Sequence, residues 1–101
     1  MFLYNVTIGI DKDIEIEWLQ WVKQNYLPAM MATGFFRDCK LYRVVTHDDE
    51  GSVSYSIQVF AENIENVVNY LNQHTATIIE GHRLKFKDKH VAFNTLLEEV
   101  V

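Results

Sequence analysis

The stretch Ile14 to Gly34, IEIEWLQWVKQNYLPAMMATG, constrains this chain more than any other and holds both tryptophans and the only proline. Ile14, Trp18, Trp21, Val22, Tyr26, Ala29 and Met30 recur every three or four residues, the spacing of one helical stripe. Asp13 is placed to cap the helix start, and Glu15 and Glu17 suit the positive end of its dipole. Pro28 has no amide hydrogen and crowds the carbonyl four residues back, so a kink or restart is expected near residues 26–28. Pro28→Ala is then expected to straighten the helix. A second short turn, 29–33, would close on Gly34 in the left-handed conformation, with Phe35 folded back onto Met30. Trp18, Trp21 and the methionines read either as plain core or as the wall of a small-molecule pocket.

Around this helix the chain alternates. In residues 2–10, Phe2, Tyr4, Val6, Ile8 and Ile10 oppose Leu3, Asn5, Thr7 and Gly9, as in a strand with one apolar face. Residues 36–47 read as a second strand whose inward face the pattern leaves open. Asp48, Asp49, Glu50 and Gly51 form a turn, and 52–60 alternates Val53, Tyr55, Ile57 and Val59 against serines, Gln58 and Phe60. That is an antiparallel hairpin. Asn63 caps a second amphipathic helix carrying Ile64, Val67, Val68, Leu71, Thr75, Ile78 and Ile79, with Gly81 as a stop. Residues 89–97 supply a last strand.

Strand, helix, strand, strand, helix, strand is the α+β, ferredoxin-like βαββαβ order: a four-stranded antiparallel sheet with two helices on one face. The 101 residues fit one domain, 1–101. The second sheet face, with Leu3 and Phe60 among Asn5, Thr7, Ser54, Ser56 and Gln58, is either solvated or a wet self-association face.

A net charge of −5 argues against a general nucleic-acid binder, and the open strand lacks the aromatic platform an RNA-binding sheet needs. No apolar run reaches the ~20 residues of a membrane span. Cys39 is the only cysteine, which excludes an internal disulfide and fits a reducing, cytoplasmic setting. His47, His74, His82 and His90 form no paired ligand motif, so neither a metal nor a cofactor is expected. The acidic turn lacks the ligand spacing of a calcium loop. The basic run Arg83 to Lys89 reads as an anion-binding patch or as charges that blunt an exposed edge.

The segments YNVT (4–7), WLQW (18–21), LPAMMATGFF (27–36), YSIQVFAE (55–62) and VAFNTLLE (91–98) resemble a family of short bacterial proteins described as a domain of unknown function. Its most specific element is the Pro-x-Met-x-Ala-Thr-Gly-x-Phe pattern at 28–36. The layout is also similar to the dimeric α+β barrel superfamily, which includes cofactor-free monooxygenases and haem-degrading enzymes. That resemblance implies a homodimer through the open sheet face and a pocket between sheet and helices.

The expected function is binding of a small amphipathic molecule against Tyr4, Trp18, Trp21, Tyr26 and Met30, with Asn5 or Arg43 orienting it. A cofactor-free oxygenase or isomerase is the alternative, with Tyr26, His74 or Asn5 supplying the reactive group. A pure self-association module is the third reading.

Overall fold

The computed structural model describes residues 1–46, 50–86 and 90–101, with His90 placed by its backbone alone. His47 at the end of the expected second strand, Asp48 and Asp49 of the acidic turn, Lys87 and Lys89 of the basic run, and the His90 side chain lie outside the described residues.

Strand β1 (Phe2–Asp11) leads through a 3-10 turn (Lys12–Ile14) into helix α1 (Glu15–Trp21), a π-helical turn (Val22–Tyr26) and helix α2 (Leu27–Ala32). Strands β2 (Asp38–Arg43) and β3 (Ser52–Ala61), helices α3 (Ile64–Gln73) and α4 (Thr75–Lys85), and strand β4 (His90–Glu98) follow. The sheet order is β2-β3-β1-β4, antiparallel throughout, which is the ferredoxin-like arrangement.

Register decides which face each strand turns to the helices, because residues paired across an antiparallel ladder share a face. Tyr4, Val6, Ile8 and Ile10 of β1 and Val53, Tyr55, Ile57 and Val59 of β3 are all buried. Cys39 pairs with Val59 and Leu41 with Ile57, so these two β2 side chains turn inward and Lys40 and Tyr42 outward. The shared character of that strand had hidden this. Arg43, paired with Tyr55, lies at the rim, where its guanidinium is 3.3 Å from Glu15 and 3.2 Å from the Tyr55 hydroxyl. The Tyr55 hydroxyl in turn donates to Glu15, so these three side chains fasten the start of α1 to the sheet.

The helical stripe explains the π turn. Trp18, Val22, Tyr26 and Met30 are all buried, and each is four residues from the next. At 3.6 residues per turn, a strict spacing of four drifts by about 40° per step, or about 120° over three steps. One extra residue in a widened turn removes about 100° of that drift and returns all four to one face. The widening is seen in the Leu27 amide, which donates to the Val22 carbonyl five residues back. Backbone angles stay right-handed helical through Tyr26 and Leu27, so the helix is widened rather than sharply broken, and Pro28 falls in the first turn of α2. There it cannot donate back into the widened turn as Leu27 does. The drift of the apolar spacing calls for a widened turn even without the ring. Pro28→Ala should keep the Leu27 to Val22 hydrogen bond, read by slow exchange of the Leu27 amide; loss of that protection would return the role to the ring.

Two local expectations change, the cap of α1 and the single second helix. Ile14 occupies the N-cap of α1 without a side-chain cap bond, while Asp13 sits inside the preceding 3-10 turn. Gly34 takes φ +81° as expected, its amide donating to the Met31 carbonyl at 3.2 Å; the Phe35 amide donates to the Thr33 hydroxyl at 3.4 Å, and the Phe35 ring lies 5.8 Å from that of His74. The second helix is two helices. His74, at φ −127° and ψ −28°, breaks it, and α4 runs through Gly81 to Lys85. Asn63 caps α3 as expected, its side chain accepting from the Asn66 amide at 2.9 Å.

The other face of the sheet divides by chemistry. At its centre Asn5, Thr7, Ser56 and Gln58 form a hydrogen-bonded belt. Along β4, Val91, Phe93 and Leu97 pair with Gly9, Thr7 and Leu3 on this same face. They remain 75%, 61% and 47% exposed. No helix among the described residues is long and apolar enough to cross a membrane.

Candidate functional site

The helices cover β1 and β3 but leave β4 jutting past them. Ala92 and Asn94, on the helix side of β4 opposite Ile8 and Val6, are therefore exposed. The gap beneath α4 is a cavity of about 210 Å³. Val6, Ile8, Ile79 and Ala92 make its apolar walls. Its polar groups are Tyr4, Tyr26, Tyr70, Thr75, His82 and Asn94.

These arrive from every layer. Tyr4 alternates inward on β1, and its ring lies 5.9 Å from that of Tyr70 on α3. Thr75 opens α4 directly after the break at His74 and lines the same cavity as the two phenols. Tyr26 closes the π turn. Burial pushes the phenols of Tyr4, Tyr26 and Tyr70 upward, Tyr70 to about 12, against the opposing pull of Thr75 on Tyr4 and Tyr70. All three remain neutral hydroxyls at physiological pH.

His82 sits at the inner end, 4% exposed. Its Nε2 accepts a hydrogen bond from Trp18 Nε1 at 2.9 Å, so the proton of the neutral ring is on Nδ1. Trp21, Tyr26 and Phe86 crowd the same imidazole with ring centroids 5.3–5.9 Å away. No described buried side-chain nitrogen or oxygen lacks a hydrogen-bond partner.

Tyr4 and Tyr26 thus line the cavity, and Trp18 and Trp21 stand behind it through His82. Met30 is wholly buried in the core. Asn5 belongs to the polar belt on the opposite face, Arg43 to the Glu15 cluster, and His74 to the α3–α4 junction beside Phe35. Tyr70, Thr75, His82 and Asn94 complete the arrangement. His82 was legible as the middle of Ile78, His82 and Phe86, an i, i+4 series that continues past Gly81.

The raised tyrosines make stability fall in alkali. The unfolded chain releases the Tyr70 proton near pH 10.0, whereas the fold holds it to about 12. Its contribution is full below pH 10 and is lost between the two values, on the order of 2 kcal/mol. Urea unfolding of Tyr70→Phe across pH 9–12 should show a shallower decline than the parent; an identical decline would contradict the assignment.

Against known families, the model described as Domain of unknown function (DUF4286) matches residues 1–100. No curated protein matches the chain in sequence. Among solved structures, an ethyl tert-butyl ether D (EthD) family protein from Bacillus halodurans superposes with TM-score 0.66 at 14% identity, covering 99% of this chain and 100% of its own. A dimeric ferredoxin-like protein from an uncultured marine organism gives 0.66 at 13% identity, covering 100% and 99%. SnoaB, a cofactor-independent oxygenase from Streptomyces nogalater, gives 0.63 at 12% identity as its N63A mutant, covering 97% and 92%. At such identities the likeness is one of fold. With its sequence matched over residues 1–100, the chain belongs to the DUF4286 family, on a fold shared with ferredoxin-like and dimeric α+β barrel proteins.

Proposed function

We propose that this domain binds a small amphipathic molecule in the cavity beneath α4, and that it works as a homodimer joined through the open sheet faces. The observation that carries the binding reading is the lining itself: aliphatic walls on β1, β4 and α4 facing a cluster of uncharged hydroxyls. Ligand sites combine an apolar surface with a few convergent polar groups in this way. The homodimer rests on Val91, Phe93 and Leu97, three large apolar side chains aligned on one open face. The similarity to a protein described as dimeric and ferredoxin-like supports it.

Catalysis is the alternative that the likeness to SnoaB brings in. Proton abstraction needs a basic group facing the substrate. Here the Nε2 lone pair of His82 already accepts from Trp18, and the phenols hold their protons. The geometry supports binding ahead of reaction. A cavity of this kind also supports a ligand-binding role over a module that only pairs with itself.

Native mass spectrometry tests the reading. Protein purified from its natural host should carry a constant added mass, one per protomer. Ala92→Trp, at an exposed strand position, should plug the cavity without disturbing the core and remove that mass. Bare protein in both samples, or an adduct unchanged by the plug, would overturn it.

A further inference from the structure

The cavity's size and charge restrict the occupant further, on the footing that it binds a ligand at all. An apolar cavity of about 150 Å³ holds benzene. At about 210 Å³ this one has room for a single ring with one short substituent, about nine non-hydrogen atoms. A fused three-ring compound would extend out of it past Ala92 and Asn94, which are exposed.

The described lining residues include no lysine, arginine, aspartate or glutamate. Among the described residues, an anion entering here would meet no lysine or arginine and a cation no carboxylate, so either would leave water at a cost. The polar groups of the described lining are the hydroxyls of Tyr4, Tyr26, Tyr70 and Thr75, the Asn94 amide, and the His82 imidazole, whose Nε2 already accepts from Trp18. The rings of Tyr4 and Tyr70 lie 5.9 Å apart, and Thr75 and Tyr26 line the same space. Each phenol is a protonated donor at neutral pH, and burial only pushes its ionisation further into alkali. Such a cluster of O–H groups is matched by a ligand oxygen with two lone pairs, and the aliphatic walls by the rest of the molecule.

We propose that the cavity takes a compact, uncharged carbonyl compound, of the size of one substituted ring, with its carbonyl oxygen among the Tyr4, Tyr70 and Thr75 hydroxyls and its ring against Ile8 and Ile79. The assignment places ions of the same shape below it in affinity, and a larger polycycle would leave its further rings in solvent.

Benzamide, benzoate and benzylammonium share a ring and nearly the same volume while differing in charge. Each is titrated into the 15N-labelled protein and followed by amide shifts at Thr75, Ala92 and Asn94. Benzamide should bind about ten-fold or more tightly than either ion. Tyr70→Phe should weaken benzamide several-fold, and Ala92→Trp should abolish its shifts at Thr75. Benzoate or benzylammonium binding as well as benzamide overturns the uncharged class. A three-ring ketone such as anthraquinone binding more tightly at the same amides overturns the size limit. No shifts from any of the three overturns the ligand class, while a co-purifying mass removed by Ala92→Trp would leave the cavity a binding site. Absence of that mass as well would remove both.

Discussion

Trp18→Ala should cost about 3–5 kcal/mol of folding stability, the range for deleting a large aromatic side chain from a closed core. The whole stability of a domain this size is about 5–15 kcal/mol. Trp18 is fully buried and joins three elements at once. It stands on α1, packs its ring 5.1 Å from Tyr55 on β3, and donates its indole hydrogen to His82 on α4. Alanine would leave a void and strip the imidazole of its donor together. Trp18→Phe separates the two effects: most of the ring volume stays and the hydrogen bond goes, at about 1–3 kcal/mol. Urea denaturation reads both variants. A loss below about 1 kcal/mol for the alanine variant would show that the site collapses around the gap and that the Trp18–His82 pair is not central to the core.

The second large effect falls on assembly. Phe93→Glu should convert a dimer to a monomer, weakening self-association by about 100-fold or more, as truncation of a central apolar anchor does. Phe93 lies across from Thr7 in the middle of β4, between Val91 and Leu97 on the open face. A carboxylate there would be buried against its own symmetry mate in a face-to-face dimer, where like charges repel. The isolated fold should hardly notice, because Phe93 is already 61% exposed within one chain. Sedimentation velocity at micromolar concentration separates the outcomes. A parent that sediments as a monomer, or a variant that remains a dimer, would remove the open face as the interface.

The sheet was legible in the sequence because strand alternation is a short-range signal. Tyr4, Val6, Ile8 and Ile10, and Val53, Tyr55, Ile57 and Val59, declare their face within a few residues. β2 did not, since Cys39 and Leu41 alternate with Lys40 and Tyr42 and neither set is clearly apolar; only pairing with β3 decides it. The break at His74 was hidden because both flanking segments keep helical spacing, while Gly81 looked like a stop and is tolerated mid-helix. The cavity was the least legible part. Tyr4, Tyr26, Tyr70, His82 and Asn94 come from β1, the π turn, α3, α4 and β4, and nothing in local spacing ties such distant positions together. A tyrosine in an apolar stripe reads the same whether its hydroxyl meets core or ligand.

The cavity reading is tested most directly by isotope-edited nuclear Overhauser spectra of the labelled protein saturated with benzamide. Cross-peaks are expected from the ligand ring to the methyl groups of Ile8 and Ile79, on the helix-covered side of the sheet. Cross-peaks confined to Phe93 and Leu97 would put the ligand on the opposite face and contradict it.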